Sequence, residues 1–262
     1  MLTPQHFDSQ GIDIAYLDSG AGSAKPPVLL IHGFASNAQI NWVGPSWFQT
    51  LQTAGYRVVA IDNRGHGHSA KLYNLEDYSA AIMAEDAKHL LDHVGIAKAN
   101  VIGYSMGARI ATFLALAHPD RVAKLVIGGL GYNMIRGMAG TGPIAHALEA
   151  ESLQDVTNPT ARTFRLFAEQ TKSDLKALAA CIRSSRAPLT AEMVAKISCP
   201  VLVAVGEQDV IAGSPDELAR LIPGATAFTI PNRDHMKATG DKAFKDVVLN
   251  FFCMTALSTP KP

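Results

Sequence analysis

Residues 101–111 read VIGYSMGARIA: apolar and small residues lead into Ser105, which is fenced by Gly103 and Gly107, and the chain continues in a helical pattern. Two glycines so placed suit a tight turn between a buried strand and a helix. They equally suit a strained turn that pushes a serine hydroxyl out at the strand's end, where side chains two residues to either side would collide with strand or helix. The rest of the chain has to decide between the two.

Apolar runs rich in Val, Ile and Leu recur along the 262 residues: PPVLLIHG (26–33), YRVVAIDN (56–63), ANVIGYS (99–105), AKLVIGGL (123–130), PVLVAVGEQD (200–209) and ATAFTIPN (225–232). Near-continuous hydrophobicity, rather than alternation, is the pattern of strands covered on both faces, hence of a parallel sheet between helices. Helical spacing fills the gaps in 79–95, 106–121 and 241–254, with Gly95 and Pro119 where stops belong. The opening 7–27 alternates more and carries a Gly/Ser/Pro-rich turn, which reads as an antiparallel hairpin on the sheet edge. The expectation is an α/β fold with a mostly parallel sheet of about eight strands flanked by helices, and a helical cap inserted after the sixth strand. The core comprises 1–130 and 200–262, and the cap 131–199.

Within that cap, NPTARTFRLFAEQ (158–170) starts with Asn158 as N-cap and Pro159 at the first helical position, and places Phe164, Leu166 and Phe167 near one face. Met134, Met138, Phe164 and Phe167 could line an acyl pocket, but an amphipathic helix burying its apolar face on the body is the preferred reading.

Lys+Arg and Asp+Glu are both 23, and no basic run resembles a phosphate-binding footprint, so nucleic acid is not an expected partner. The opening MLTPQHFDSQG lacks a basic start followed by an apolar stretch, and the longest apolar runs are too short to span a bilayer. No membrane association and a cytoplasmic location are expected. Cys181, Cys199 and Cys253 fit neither a disulfide framework nor zinc-ligand spacing, and read as core or semi-buried thiols. The glycine clusters form neither a dinucleotide fingerprint nor a phosphate-binding loop, so no cofactor is expected.

A neutral serine hydroxyl is a poor nucleophile and needs a base, an orienting acid and oxyanion donors. VAVGEQDVIAG (203–213) supplies Asp209 just past one buried strand, and TIPNRDHMKATG (229–240) supplies His235 just past the next. Loops at the C-terminal ends of parallel strands gather on one edge, so Ser105, Asp209 and His235 can converge. Two backbone amides can hold the oxyanion, those of Met106 at the helix start and Phe34 in LLIHGFASN (29–37). Glu207 and Asp234 are nearby acids that compete with Asp209 for the orienting role.

On HGF (32–34), DNRGHGHS (62–69), GYSMG (103–107), GEQD (206–209) and the histidine of RDH (235), the chain resembles the α/β-hydrolase superfamily over nearly its whole length, and is most similar to small bacterial carboxylesterases and lactonases with a helical cap. That resemblance implies a serine hydrolase with Ser105 as nucleophile, His235 as base and Asp209 as acid, acting on a small-molecule or polymeric ester. Its haloalkane dehalogenase and epoxide hydrolase relatives use an aspartate where Ser105 stands. Perhydrolase, carbon–carbon bond hydrolase and non-catalytic binder stand as alternatives. Asn232-Arg233-Asp234 replaces the family's glycine-bearing turn before the histidine.

Other histidines read as structural. His32 shapes the loop before Phe34, and His66 and His68 lie in a Gly-rich turn with no carboxylate cluster to make a metal site. His89 and His93 share a charged face of the 79–95 helix that is expected to be solvated.

Overall fold

The computed structural model describes residues 2–20, 22–137, 141–184 and 189–254. Its sheet comprises β1 (Gln5–Ser9), β2 (Ile12–Asp18), β3 (Val28–Ile31), β4 (Val58–Ile61), β5 (Ala99–Tyr104), β6 (Val122–Gly128), β7 (Val201–Gly206) and β8 (Thr226–Ile230). The spatial order is β1-β2-β4-β3-β5-β6-β7-β8. Strands β3 to β8 run parallel, whereas β2 is antiparallel to both β1 and β4.

The continuous apolar runs resolve into two faces with a period of two residues. Leu29, Ile31, Val59, Val101, Ile127 and Val203 point to one core. Their neighbours Leu30, Val58, Ile102, Val126 and Leu202 point to the other. The second core is closed by α1 (Trp47–Thr53) and the C-terminal helix, whose Phe244 meets Trp47 edge-on at 5.1 Å. Strand β8 departs from the expectation of a strand covered on both faces. Thr226 and Thr229 are exposed, because β8 closes the sheet edge and, among the described residues, pairs only with β7.

Helices α2 (Ala80–His93) and α3 (Met106–Ala117) cover the first core. Between β6 and β7 come α4 (Asn133–Arg136), α5 (Thr141–Glu149), α6 (Pro159–Gln170), α7 (Leu175–Arg183) and α8 (Ala191–Val194), with no strand among the described residues. After β7 follow α9 (Pro215–Leu221) and α10 (Lys242–Cys253). Ser79 and Asn158 cap α2 and α6 by accepting from Ile82 and Ala161 amides.

The expected apolar face of α6 is not the one it buries. Ala161, Arg165 and Ala168 are buried, Leu166 is exposed, and Phe164 and Phe167 are half-buried. Arg165 is drawn inward because its Nη1 donates to the carbonyls of Ala147 (2.7 Å) and Ala150 (3.0 Å), the unsatisfied acceptors at the end of α5. The charged face of α2 is likewise not wholly solvated. Asp86 is buried in a two-point ion pair with Arg64 at 2.7 and 2.8 Å, His89 meets Ser9, and His93 stacks on Phe7. Packing of β1 against α2 covers the Asp86 end of that face, His89 is half-buried, and His93 stays exposed. Cys181 is buried and Cys199 half-buried, but Cys253 is exposed at the end of α10. Among the described residues no helix is long and apolar enough to cross a membrane.

Candidate active site

Ser105 follows β5 with φ 54° and ψ −114°, a conformation that L-residues rarely adopt. Gly103 and Gly107 permit it by close approach, as the spacing predicts. A methyl on Gly103 would lie 2.2 Å from the Gly107 carbonyl oxygen, and one on Gly107 would lie 2.0 Å from that of Ile31. The Ser105 amide donates to the Gly128 carbonyl at 2.8 Å, which ties the turn to β6.

Asp209, three residues past the end of β7, and His235, five residues past the end of β8, arrive at the same edge. His235 Nε2 lies 3.0 Å from Ser105 Oγ, and His235 Nδ1 lies 2.7 Å from Asp209 Oδ2. The Asp209 carboxylate accepts only, so Nδ1 carries the proton in that bond and Nε2 is left as an acceptor toward Ser105. The Asp209 side chain is fully buried, and its Oδ1 accepts from the Ile211 and Ala212 amides at 2.9 and 3.0 Å. The two rival carboxylates are used differently. Glu207 accepts from the Asn232 amide, and Asp234 accepts from the amides of Met236 and Lys237.

Asn232 takes the left-handed conformation, φ 54°, in the turn where the family carries glycine. Two further residues hold this loop, and each lies inside a motif, GEQD and GYSMG, that does not by itself single it out. Gly206 sits so close that a methyl would lie 2.3 Å from the Arg233 carbonyl oxygen, and the Gln208 amide donates to that carbonyl at 2.9 Å. Tyr104 donates its hydroxyl to the His235 carbonyl at 2.5 Å.

The Phe34 loop is pinned from below. His32 Nδ1 donates to the Gly33 carbonyl at 2.8 Å, and its Nε2 accepts from the Asn63 amide at 3.0 Å. Burial holds its imidazole neutral, with a pKa pushed down to about 4. His66 is pushed to about 3 by burial and by His32 beside it. Among the described residues, no protein acceptor takes the amides of Phe34 or Met106, and no group of three or more His, Cys, Asp or Glu is placed to hold a metal ion.

Two cavities meet at Ser105. One, about 400 Å³, is walled by Leu130, Met134, Ile144, Phe164, Cys181 and Arg109. The other, about 610 Å³, contains His235 together with Asn41, Phe167, Arg233 and Thr239. Met134, Phe164 and Phe167 thus face cavities, while Met138 lies outside the described residues. Arg109 lies one helical turn past Ser105, so helix periodicity carries a signal for it. Cys181 and Ile144 reach the cavity only through the docking of α5 and α7, which no local pattern encodes.

An eight-stranded, mostly parallel sheet with a glycine-flanked serine turn between its central strand β5 and α3 defines the class: the chain has the α/β-hydrolase fold. The family model described as the alpha/beta hydrolase fold matches residues 26–133. The chain is 30% identical over 251 residues to the dihydrolipoyllysine-residue acetyltransferase component of the acetoin cleaving system of Pseudomonas putida, covering 89% of this chain and 64% of that protein. It is 39% identical over 115 residues to epoxide hydrolase B of Mycobacterium tuberculosis, covering 43% of this chain and 31% of that one. It therefore spans less than two thirds of the length of either relative. The solved structure of Est816, described as an N-acyl homoserine lactone degrading enzyme, matches with TM-score 0.72 and 26% identity over 94% of this chain and all of that one.

Proposed function

We propose that the protein is a serine hydrolase that cleaves carboxylic esters through an acyl-enzyme, with Ser105 as nucleophile, His235 as base and Asp209 as orienting acid. The observation that carries this reading is the unbroken relay from Ser105 Oγ to His235 (3.0 Å) to buried Asp209 (2.7 Å) on a strained turn beside two cavities. Ser105 Oγ attacks the ester carbonyl carbon as its proton passes to His235 Nε2, and Asp209 stabilises the imidazolium. The negative charge on the former carbonyl oxygen is met by the Phe34 and Met106 amides. One such donor is worth on the order of 3 kcal/mol in the transition state. Collapse breaks the carbon–oxygen bond of the ester, and His235 protonates the departing alkoxide. Water then attacks the acyl carbon, gives its proton to His235, and the acid leaves as Ser105 is restored.

The same proton delivery orients the substrate. The alcohol must depart toward His235, which lines the larger cavity, so the acyl part occupies the cavity of about 400 Å³. Epoxide opening is disfavoured by the serine itself: attack on an epoxide carbon would leave an ether, which water does not hydrolyse, whereas a carboxylate nucleophile leaves a hydrolysable ester. The test is turnover of p-nitrophenyl acetate and labelling by a fluorophosphonate. Both are expected in the wild type and neither in Ser105→Ala; a wild type that shows neither overturns the reading.

A further inference from the structure

The acyl-side cavity is positive in a way that ester chemistry alone does not require. Its lining includes three guanidinium side chains, Arg109, Arg136 and Arg183, and no carboxylate among the described residues. The sequence has the same bias: the stretches 93–119, 121–148 and 175–191, which supply most of that wall, contain no Asp or Glu. Arg183 is already neutralised by Glu149, which takes both its Nε and its Nη2. Arg136 is exposed at the end of α4.

Arg109 is the nearest of the three to Ser105 along the chain. It is half-buried on α3, four residues after Ser105, an offset of about 6 Å along the helix axis. Its Nη1 donates to the Met134 carbonyl at 3.1 Å, which holds the side chain against the cavity wall. Leu130, Met134, Ile144 and Cys181 line the same cavity as Ser105 and Arg109. An acyl chain entering from the serine would run along apolar surface and end near a cation.

We infer that the acyl part of the substrate ends in a carboxylate that Arg109 recognises, so that half-esters of short dicarboxylic acids, or lactones that carry a free carboxylate on the acyl part, are the preferred class. This rests on the ester-hydrolase reading above. A guanidinium attracts a carboxylate through its fixed charge, and in a half-buried cavity such a charge-assisted contact is screened less than on the surface.

The test compares kcat/KM for monomethyl glutarate and monomethyl adipate with methyl pentanoate and methyl hexanoate. A half-ester advantage of about 10- to 100-fold, expressed mainly in KM, is expected for one charged contact. Arg109→Gln should collapse that ratio and Arg109→Lys should keep part of it. A ratio within one enzyme is insensitive to loss of overall activity, and circular dichroism checks that each variant folds. A wild-type ratio of one or less, or a ratio unchanged in Arg109→Gln, overturns the inference while leaving the hydrolase reading intact. If no methyl ester is turned over and the fluorophosphonate leaves Ser105 unlabelled, the hydrolase reading falls instead. The carboxylate site is then judged by calorimetry on Ser105→Ala: tighter binding of glutarate or adipate than of pentanoate supports it, and equal or absent binding overturns it.

Discussion

The Tyr104 hydroxyl donates to the backbone carbonyl of His235 at 2.5 Å, so the residue before the strained serine also holds the loop that carries the histidine. The ring centroids are 5.5 Å apart, and burial raises the phenol pKa, keeping Tyr104 a donor at any working pH. Serine and histidine therefore share one support. Tyr104→Phe leaves the His235 carbonyl without this donor and should cost about 1–2 kcal/mol of stability. It should also lower kcat more than it raises KM, because His235 loses its alignment with Ser105. Urea unfolding and ester kinetics on the same preparation check both; an unchanged kcat would show that the loop is held without Tyr104.

Gly107 is constrained by backbone rather than by a movable side chain. A methyl there meets the Ile31 carbonyl oxygen at 2.0 Å, so α3 cannot stay seated against β3. Gly107→Ala should destabilise by about 3 kcal/mol and remove most ester turnover, since the serine turn shifts with the helix. Gly142, in α5 with open space around its Cα, is the control, and Gly142→Ala should be neutral or stabilising by about 0.5 kcal/mol. Equal effects of the two changes in chemical denaturation would contradict the packing account.

Among three neighbouring carboxylates, only Asp209 reaches His235. Asp209→Asn should lower kcat by about 10⁴-fold, because the imidazole is left in the wrong tautomer. Glu207→Gln and Asp234→Asn should have small effects, as each removes a charge but keeps an oxygen that can accept from the loop amides. Burst and steady-state kinetics on a nitrophenyl ester distinguish them; comparable losses in all three would mean that the orienting role is shared.

His32 and His66 make the fold sensitive to acid. Their imidazoles have pKa values of about 4 and about 3 in the folded protein, against 6.5 when free. As pH falls below 6.5 the unfolded chain binds protons that the folded chain refuses, so stability is undiminished above that value and declines below it. Between about pH 6 and pH 4 each group should remove about 1.4 kcal/mol per pH unit. Urea unfolding across that range should show the slope, and His66→Gln should reduce it by roughly one proton. A stability flat from pH 7 to 4.5 would rule out the buried neutral pair.

The sequence by itself determined the sheet, its two helical layers and the serine turn. Runs such as VVAI and VLLI read as strands buried on both faces, and Gly103 and Gly107 mark a tight turn about Ser105. Asp209 and His235 were legible as residues just past later strands, because parallel strands deliver their ends to one edge.

Only the tertiary structure decided which of three acids meets the histidine, since Glu207, Asp209 and Asp234 lie in adjoining loops whose folding depends on contacts such as that of Gly206 with Arg233. It also decided the buried faces of α2 and α6. Ion pairing draws Asp86 inward, and α5's unsatisfied carbonyls draw in Arg165, against the hydrophobic pattern. The cavity wall formed by Ile144 and Cys181 arises from the docking of α5 on α7, a long-range contact that has no period along the chain.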